Sequence, residues 1–343
     1  ALGIATPLVM SLTSGVGARH GILFRDGQAV ETARQITHVV LDKTGTLTLG
    51  ELRLNHDSPW LSWAASLEGN CHHPLAKAFE RAYQGTKLPV QDWTQVAGQG
   101  VSGWIEGKFC RLGRADFLGR PELEQEAQGT AVWLEVQQEV VAKFEFRDQI
   151  RQESRAFVQA LKSRGIQVCL ASGDRPVVVA QVAKVVGIDH YRSACLPQDK
   201  LEWVRSLQAE GAVVAFIGDG INDAPALQQA HLGVSVANGS PLSWEVADLV
   251  LLRPGLKPAE QALQLAKVSY RHLYINLGLA LVYNLVAIPS AMLGWVTPLA
   301  AAVAMPISSL VVVGQSLLLM GYRPQKEAGG LKWTHSIFSF LRP

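Results

Sequence analysis

Charged residues are scarce in this chain, at 17% of its 343 positions, and the two signs nearly cancel: 31 Lys and Arg against 29 Asp and Glu, a net charge of +2. That balance excludes the dense basic surface that nucleic-acid binding requires, so no nucleic-acid partner is expected. Cysteine is sparse as well. Cys71, Cys110, Cys169 and Cys195 stand far apart with no Cys-x-x-Cys pair. This spacing excludes a disulfide framework and a zinc-ribbon site, and leaves reduced, partly buried thiols as the expectation. An initiator methionine and a signal-peptide pattern are also missing. The chain opens in mid-pattern at Ala1-Leu2-Gly3-Ile4-Ala5-Thr6-Pro7, which reads as a piece of a longer polypeptide.

Two long stretches, 273–293 and 297–320, contain no charged residue at all. Each has the length and apolar content of a membrane-spanning helix, where two buried core helices of a soluble protein are the alternative. The link between them, Gly294-Trp295-Val296-Thr297-Pro298, is uncharged, whereas Lys267 and Arg271 precede the pair and Arg323, Lys326 and Lys332 follow it. The positive-inside rule then predicts a two-helix transmembrane hairpin over 273–320 with both ends cytoplasmic. Residues 1–18 are apolar and stop at Arg19-His20, so they read as the end of a truncated transmembrane helix. Residues 321–343 are expected to be a cytoplasmic tail without an assigned role.

Between these segments the pattern is that of an α/β protein. Strand-like runs at Thr37–Leu41, Gln167–Ala171 and Val213–Ile217 alternate with helical patterns at Gln152–Arg164 and Val177–Val186. Such alternation predicts βαβ units and a parallel sheet, built from 24–49 and 146–265. Residues 50–145 differ: they carry tryptophans, glycines and short strands such as Ala131–Val136, and are expected to form an inserted α+β domain.

The chemistry gathers at the ends of the predicted strands. Val39-Val40-Leu41 delivers Asp42 into Lys43-Thr44-Gly45-Thr46-Leu47-Thr48, a loop rich in small hydroxyl residues. A rigid strand end holding a carboxylate among hydroxyls, backbone N–H groups and a lysine suits an aspartate that accepts a phosphoryl group. A plain strand ending in a polar turn is the simpler reading of that motif alone. Three further loops add to it. Ser172-Gly173-Asp174 follows the strand at Gln167–Ala171, and Pro197-Gln198-Asp199-Lys200 brings a lysine to a helix start. Gly218-Asp219-Gly220-Ile221-Asn222-Asp223 offers an oxygen-rich set fit for Mg²⁺. A lysine at a helix start is commonly only solvated, and Gly-Asp-Gly is commonly only a turn. Placed in this order on successive strand ends, where open α/β sheets hold ligands, they point to one site.

These loops resemble, residue by residue, the motifs of P-type ATPases, whose phosphorylation domain has the haloacid dehalogenase-like fold. The resemblance covers nearly all of 1–320 and implies an α/β haloacid dehalogenase-like phosphorylation domain with an inserted α+β nucleotide-binding domain, plus transmembrane helices. It implies that Asp42 is the nucleophile toward the γ-phosphate of ATP, and that Lys200 and Thr44 contact the phosphoryl group. Asp219, with Asp42, would hold Mg²⁺, and Asn222, Asp223 and Asp174 would line the same site. Ser172 stands where the family usually has Thr. Soluble phosphatases of the superfamily typically carry a second carboxylate two residues after the nucleophile. That position here is Thr44, which is no acid or base near neutral pH, so hydrolysis of the phosphoenzyme should be slow unaided. The family's actuator domain supplies that help, and no segment here resembles it.

In the inserted domain, Glu68-Gly69-Asn70-Cys71-His72-His73-Pro74 and Gly98-Gln99-Gly100 resemble the nucleotide-binding domain of heavy-metal-transporting members. A glycine pair alone is weak, and a His before Pro is commonly just a helix start. The resemblance implies ATP contacts from Glu68, His73, Gly98 and Gly100. The usual form is Ser-Glu-His-Pro, where this chain has Cys71-His72-His73-Pro74, and Arg114 follows Gly113 where Asn is usual.

In the hairpin, Tyr283-Asn284 and Met305-Pro306-Ile307-Ser308-Ser309 put polar and thioether groups into apolar helices, either for packing or as a soft ion site. They resemble the Tyr-Asn and Met-x-x-Ser-Ser motifs of copper-transporting ATPases, which implies Tyr283, Asn284, Met305 and Ser309 as ligands for Cu(I), or Ag(I), as the transported ion. Gln315 and Leu318 depart from the Asn and Arg common there. The family's Cys-Pro-Cys is expected just before Ala1. The resulting expectation is the C-terminal part of a multi-pass copper pump in a bacterial inner membrane, with its soluble domains cytoplasmic. Its partners would be the lipid bilayer, ATP, and a copper chaperone or acceptor protein. A zinc-type P-type ATPase, a membrane-tethered phosphatase of the same superfamily, and a non-catalytic membrane scaffold are the alternatives. The absence of Asp and Glu from both spans counts against the first of these.

Overall fold

A computed structural model describes residues 2–324 except His56, Asp57, His72, Ala97, Ala127, Gln128, Gly220 and Asn238. Most of the expected tail, 325–343, lies outside the described residues. In chain order the strands are β1 (Ile22–Phe24), β2 (His38–Asp42), β3 (Thr48–Leu54), β4 (Gln91–Val96) and β5 (Gly100–Ile105). Next come β6 (Lys108–Gly113), β7 (Thr130–Val136), β8 (Glu139–Ile150), β9 (Gln167–Ala171) and β10 (His190–Arg192). β11 (Val214–Gly218), β12 (Leu232–Ser235) and β13 (Leu249–Leu251) follow.

One sheet has the order β1-β13-β12-β11-β2-β9-β10. It is parallel throughout except for β1, which runs antiparallel to β13 at the edge. β2 lies between β11 and β9, and its Val39, Val40 and Leu41 are completely buried. A continuous apolar run of this kind is what a strand covered on both faces needs. The helix Pro197–Ala209 contributes Trp203, Val204 and Leu207 to a core that includes Val40, Cys169, Val214 and Phe216. The edge strand Ile22–Phe24 and the helix Gly27–Gln35 precede β2 and were not expected from the sequence.

The chain leaves this sheet after β2 and returns to it at β9. In between, β3-β8-β7-β6-β5-β4 form an antiparallel sheet. Helices Leu61–Leu67 and Pro74–Ala82 share its core. Phe79 meets Phe144 and Phe146 edge to face, with ring centroids 5.1 Å apart in each pair.

The remaining unit comprises residues up to Arg19 and from Gln261 onward. Lys257–Met292, of 36 residues, and Pro298–Gly321, of 24, are long and apolar enough to cross a membrane. The first begins well before the charge-free stretch at 273, because nothing after Pro258 breaks the helical pattern. Thr297 caps the second, its hydroxyl accepting from the Ala300 N–H at 3.2 Å, with Pro298 in the first turn. Asn276 Nδ2 donates to Ser316 Oγ at 2.8 Å, joining the two helices through side chains that are completely buried.

Candidate active site

β2 ends at Asp42 and β11 at Gly218, one residue before Asp219, on adjacent parallel strands. The third component comes from the helix Pro197–Ala209. Asp199 accepts from the Leu196 N–H at 2.7 Å and Pro197 occupies the first turn, so the helix starts where the sequence suggests. This start places Lys200 within the first turn, buried, with Nζ 2.5 Å from Asp42 Oδ1 and 2.7 Å from Asp223 Oδ1. Oxygens of Asp42, Asp219 and Asp223 all lie within 4.8 Å of one another.

Burial, and then repulsion from Asp223, raise the Asp42 carboxyl to about 7 although Lys200 opposes the shift. The same two causes raise Asp219 to about 6. Burial alone would lower Lys200, but the carboxylates of Asp42 and Asp223 outweigh it and push the lysine up to about 12. When all three carboxylates are ionised they exceed the Lys200 ammonium by two charges, and an oxygen-only donor set of that kind fits Mg²⁺.

The loop after Asp42 is held from outside. Arg151 donates from Nε to the Thr46 carbonyl at 3.0 Å and from Nη2 to that of Gly45 at 2.9 Å. Ser154 Oγ donates to the Leu47 carbonyl at 2.8 Å. Gly45 has φ +71°, and a Cβ there would collide with the Asp219 carboxylate. Lys43 turns away from Asp42: it is buried, bonded to Asp174 and 3.9 Å from Asp148. Asp148 accepts from the Thr48 hydroxyl, and burial raises its carboxyl.

The structure thus brings Asp42, Lys200, Asp219 and Asp223 together. It places Asp174 in an adjoining pair with Lys43. Thr44 and Asn222 are solvent-exposed. Lys43, expected to meet phosphate oxygens, instead pairs with Asp174. Asp148 and Arg151 were missed in the sequence, where Arg147-Asp148-Gln149-Ile150-Arg151 looks like an ordinary charged strand end. Ser172 is buried, and its Oγ accepts from the Asp174 N–H at 3.2 Å, so it shapes the turn.

In the antiparallel-sheet region, buried Glu68 has Oε2 3.1 Å from His73 Nε2. His73 also caps its helix, with Nδ1 accepting from the Ala76 N–H at 3.3 Å. Burial raises the Glu68 carboxyl while His73 opposes the rise. Trp93 Nε1 donates to the Leu67 carbonyl at 2.8 Å, which seats β4 beside the helix end that carries Glu68. β4 then runs into the turn holding Gly98 and Gly100. Gly100 pairs with Gly113, and a Cβ on Gly100 would lie 2.5 Å from the Leu112 carbonyl oxygen. Its lack of a side chain therefore serves strand packing. His72 lies outside the described residues.

In the hairpin, Tyr283 and Ser308 line a cleft of about 340 Å³ together with Leu279, Ala304 and Val311. Met305 is 66% exposed, and Asn284 also faces outward. Ser308 and Ser309 donate to the Met305 carbonyl at 2.9 and 3.3 Å, a local bond that occupies both hydroxyls.

Residues 36–231 match the haloacid dehalogenase-like hydrolase family. The chain is 40% identical over 342 residues to a probable copper-transporting ATPase, SynA, of Synechococcus, covering 93% of this chain and 43% of the relative. It is 37% identical to a probable copper-exporting P-type ATPase V of Mycobacterium tuberculosis, with 93% and 44% covered. The chain spans under half the length of these curated relatives. Among solved structures, a zinc-transporting PIB-type ATPase in its E2.Pi state superposes with a TM-score of 0.82 at 28% identity, covering 93% of this chain and 55% of that one. The catalytic domain of the CPx-ATPase CopB-B gives 0.63 at 30% identity, with 72% and 96% covered.

Proposed function

The chain belongs to the haloacid dehalogenase-like hydrolases and, within them, to the metal-transporting P-type ATPases, and on that premise we propose that it performs the ATP-dependent phosphorylation that drives export of Cu(I) or Ag(I). The observation that carries this reading is the double contact of Lys200 with Asp42 and Asp223 beside Asp219. An Asp42 oxygen attacks the γ-phosphorus of ATP, a P–O bond forms, and the bond to the β-phosphate oxygen breaks with departure of ADP. Lys200 keeps Asp42 oriented and meets the incoming charge. Asp219 and Asp223, with Asp42, would hold Mg²⁺, which supplies charge neutralisation for the transferring phosphoryl group. Arg151 keeps the loop fixed through its carbonyls, and Thr44 leaves the phosphoenzyme without an adjacent general base. Glu68, His73 and the Gly98–Gly100 turn would receive the adenine of ATP.

The copper assignment is supported by the copper-transporting and copper-exporting relatives and by the absence of Asp and Glu from 273–320. Tyr283, Asn284, Met305 and Ser309 are the proposed contributors from this chain. A copper chaperone or acceptor protein, a bacterial inner membrane and cytoplasmic soluble domains belong to the same proposal. A zinc pump is the second reading, favoured by the zinc-transporting structural neighbour. The test is acid-stable labelling of the chain by γ-phosphate-labelled ATP with Mg²⁺. The label should vanish in Asp42→Asn. Labelling that persists in that variant, or rapid turnover of para-nitrophenyl phosphate by the unchanged chain, would overturn the pump assignment.

A further inference from the structure

Glu68, Cys71 and His73 bring a carboxylate oxygen, a thiol sulfur and an imidazole nitrogen within 4.8 Å of one another. The turn Glu68–Asn70 and the helix starting at Pro74 impose this convergence. The Cys71 N–H donates to the Glu68 carbonyl at 2.9 Å, folding residue 71 back over residue 68, and His73 sits at the helix cap. Glu68 and Cys71 are buried, at 6% and 9% exposure, while the His73 side chain is 37% exposed and opens the group to solvent. Glu68 Oε2 makes no hydrogen bond of its own, although the Cys71 thiol bonds the Glu68 carboxylate and the His73 ring nitrogen stands 3.1 Å from Oε2. A buried carboxylate oxygen without a hydrogen bond, beside a thiol and an imidazole, is a place where a cation would complete the group.

We propose that Glu68, Cys71 and His73 form a Zn²⁺-binding site at the mouth of the nucleotide pocket, and that bound Zn²⁺ excludes the nucleotide. The inference rests on the reading that Glu68 and His73 meet adenine. One sulfur, one nitrogen and one oxygen form a borderline donor set, better matched to Zn²⁺ than to Cu(I), which favours sulfur. Zinc bonds of about 2.0–2.3 Å set the edges of a tetrahedral site at roughly 3.3–3.7 Å. The Glu68–His73 separation of 3.1 Å is just under that range and the three ligand atoms lie within 4.8 Å of one another, so rotamer adjustment suffices. Three protein ligands leave one position open to water. Ligation through His73 Nε2 moves the ring proton to Nδ1 and gives up the bond from the Ala76 N–H, already long at 3.3 Å. Cys71 has no part in the proposed adenine contact, so Cys71→Ser separates the two functions and also restores the serine common in this motif.

The test uses the full chain in detergent, with Co²⁺ as the spectroscopic stand-in for Zn²⁺. The unchanged chain should show a thiolate-to-Co²⁺ charge-transfer band that Zn²⁺ displaces, and Cys71→Ser should lose it. Binding of an adenine nucleotide, with Mg²⁺ in large excess, should weaken at least tenfold when Zn²⁺ saturates the unchanged chain. Cys71→Ser should keep the metal-free nucleotide affinity and lose the Zn²⁺ effect. No band, a band that survives in Cys71→Ser, or equal weakening in both proteins would overturn the proposal. If the metal-free chain binds no nucleotide, the nucleotide reading and the competition both fail, while the Co²⁺ band still decides the metal site.

Discussion

A Cβ added to Gly45 would stand 1.6 Å from Oδ2 of Asp219. The two residues come from loops on neighbouring strand ends, and the contact fixes how closely the second carboxylate approaches the phosphorylation loop. Gly45 also has φ +71°, where an L side chain costs about 1–2 kcal/mol. Gly45→Ala should therefore push Asp219 out of the oxygen cluster while leaving the core intact. Mg²⁺-dependent labelling by ATP should drop by about 100-fold, against a thermal destabilisation of only about 1–2 kcal/mol. Labelling near the original level would show that Asp219 need not stand where it does.

Lys200 separates carboxylates that would otherwise face one another. Lys200→Met removes the cation that bridges two buried acids, Asp42 and Asp223, a change of the kind that costs about 3–5 kcal/mol. Proton uptake by Asp42 offsets part of that cost, since its carboxyl is already raised to about 7. Lys200→Met combined with Asp42→Asn should be less destabilised than the sum of the two single variants, by about 1–3 kcal/mol in thermal unfolding. Additive effects would mean that the 2.5 Å contact contributes no coupling.

The parts of this site that were legible in the sequence are those where one residue type and one strand end carry the chemistry. Asp42, Asp219 and Lys200 each follow a buried strand or open a helix, and continuous apolar runs such as Val39–Leu41 give those strands away. Arg151 and Asp148 were not legible. They act through loop carbonyls and a hydroxyl brought close only by the pairing of β3 with β8, across about a hundred residues that sequence spacing does not encode. Gly100 carries a second demand that the sequence did not show, because its close packing on Gly113 leaves no room for a side chain. In the hairpin, helical spacing placed Met305 and Ser309 on one face, but it could not show that Met305 points outward while Tyr283 lines the cleft.

Asp42 and Asp219, raised to about 7 and about 6, hold protons in the folded chain that the unfolded chain releases nearer the ordinary carboxylate range. Folded-state affinity for protons exceeds that of the unfolded state, so their contribution to stability falls as pH rises from about 4 to about 7. A divalent cation reverses the balance by favouring the ionised forms. Mg²⁺ should accordingly raise the thermal midpoint more at about pH 8 than at about pH 5, where protons compete for the same oxygens. Asp42→Asn should shrink the difference. An Mg²⁺ effect equal at both pH values would place the cation away from these carboxylates.

Thr44 occupies the position, two residues past the nucleophile, where a carboxylate would act as a general base. Thr44 is solvent-exposed, so a side chain of similar size can replace it without disturbing the buried loop held by Arg151. Thr44→Asp should add an ionised group able to take a proton from water attacking the aspartyl phosphate, an effect of about 100-fold or more for a well-placed base. Proximity to Asp42, Asp219 and Asp223 opposes this by repelling the new charge, and Mg²⁺ is expected to relieve that repulsion. The variant should still take up label from ATP, but the label should disappear faster once unlabelled ATP is added in a chase. Turnover of para-nitrophenyl phosphate should rise in parallel. If the label decays at the same rate in Thr44→Asp and in the unchanged chain, then the lifetime of the phosphoenzyme is not set by the missing carboxylate, and slow hydrolysis must come from exclusion of water around Asp42.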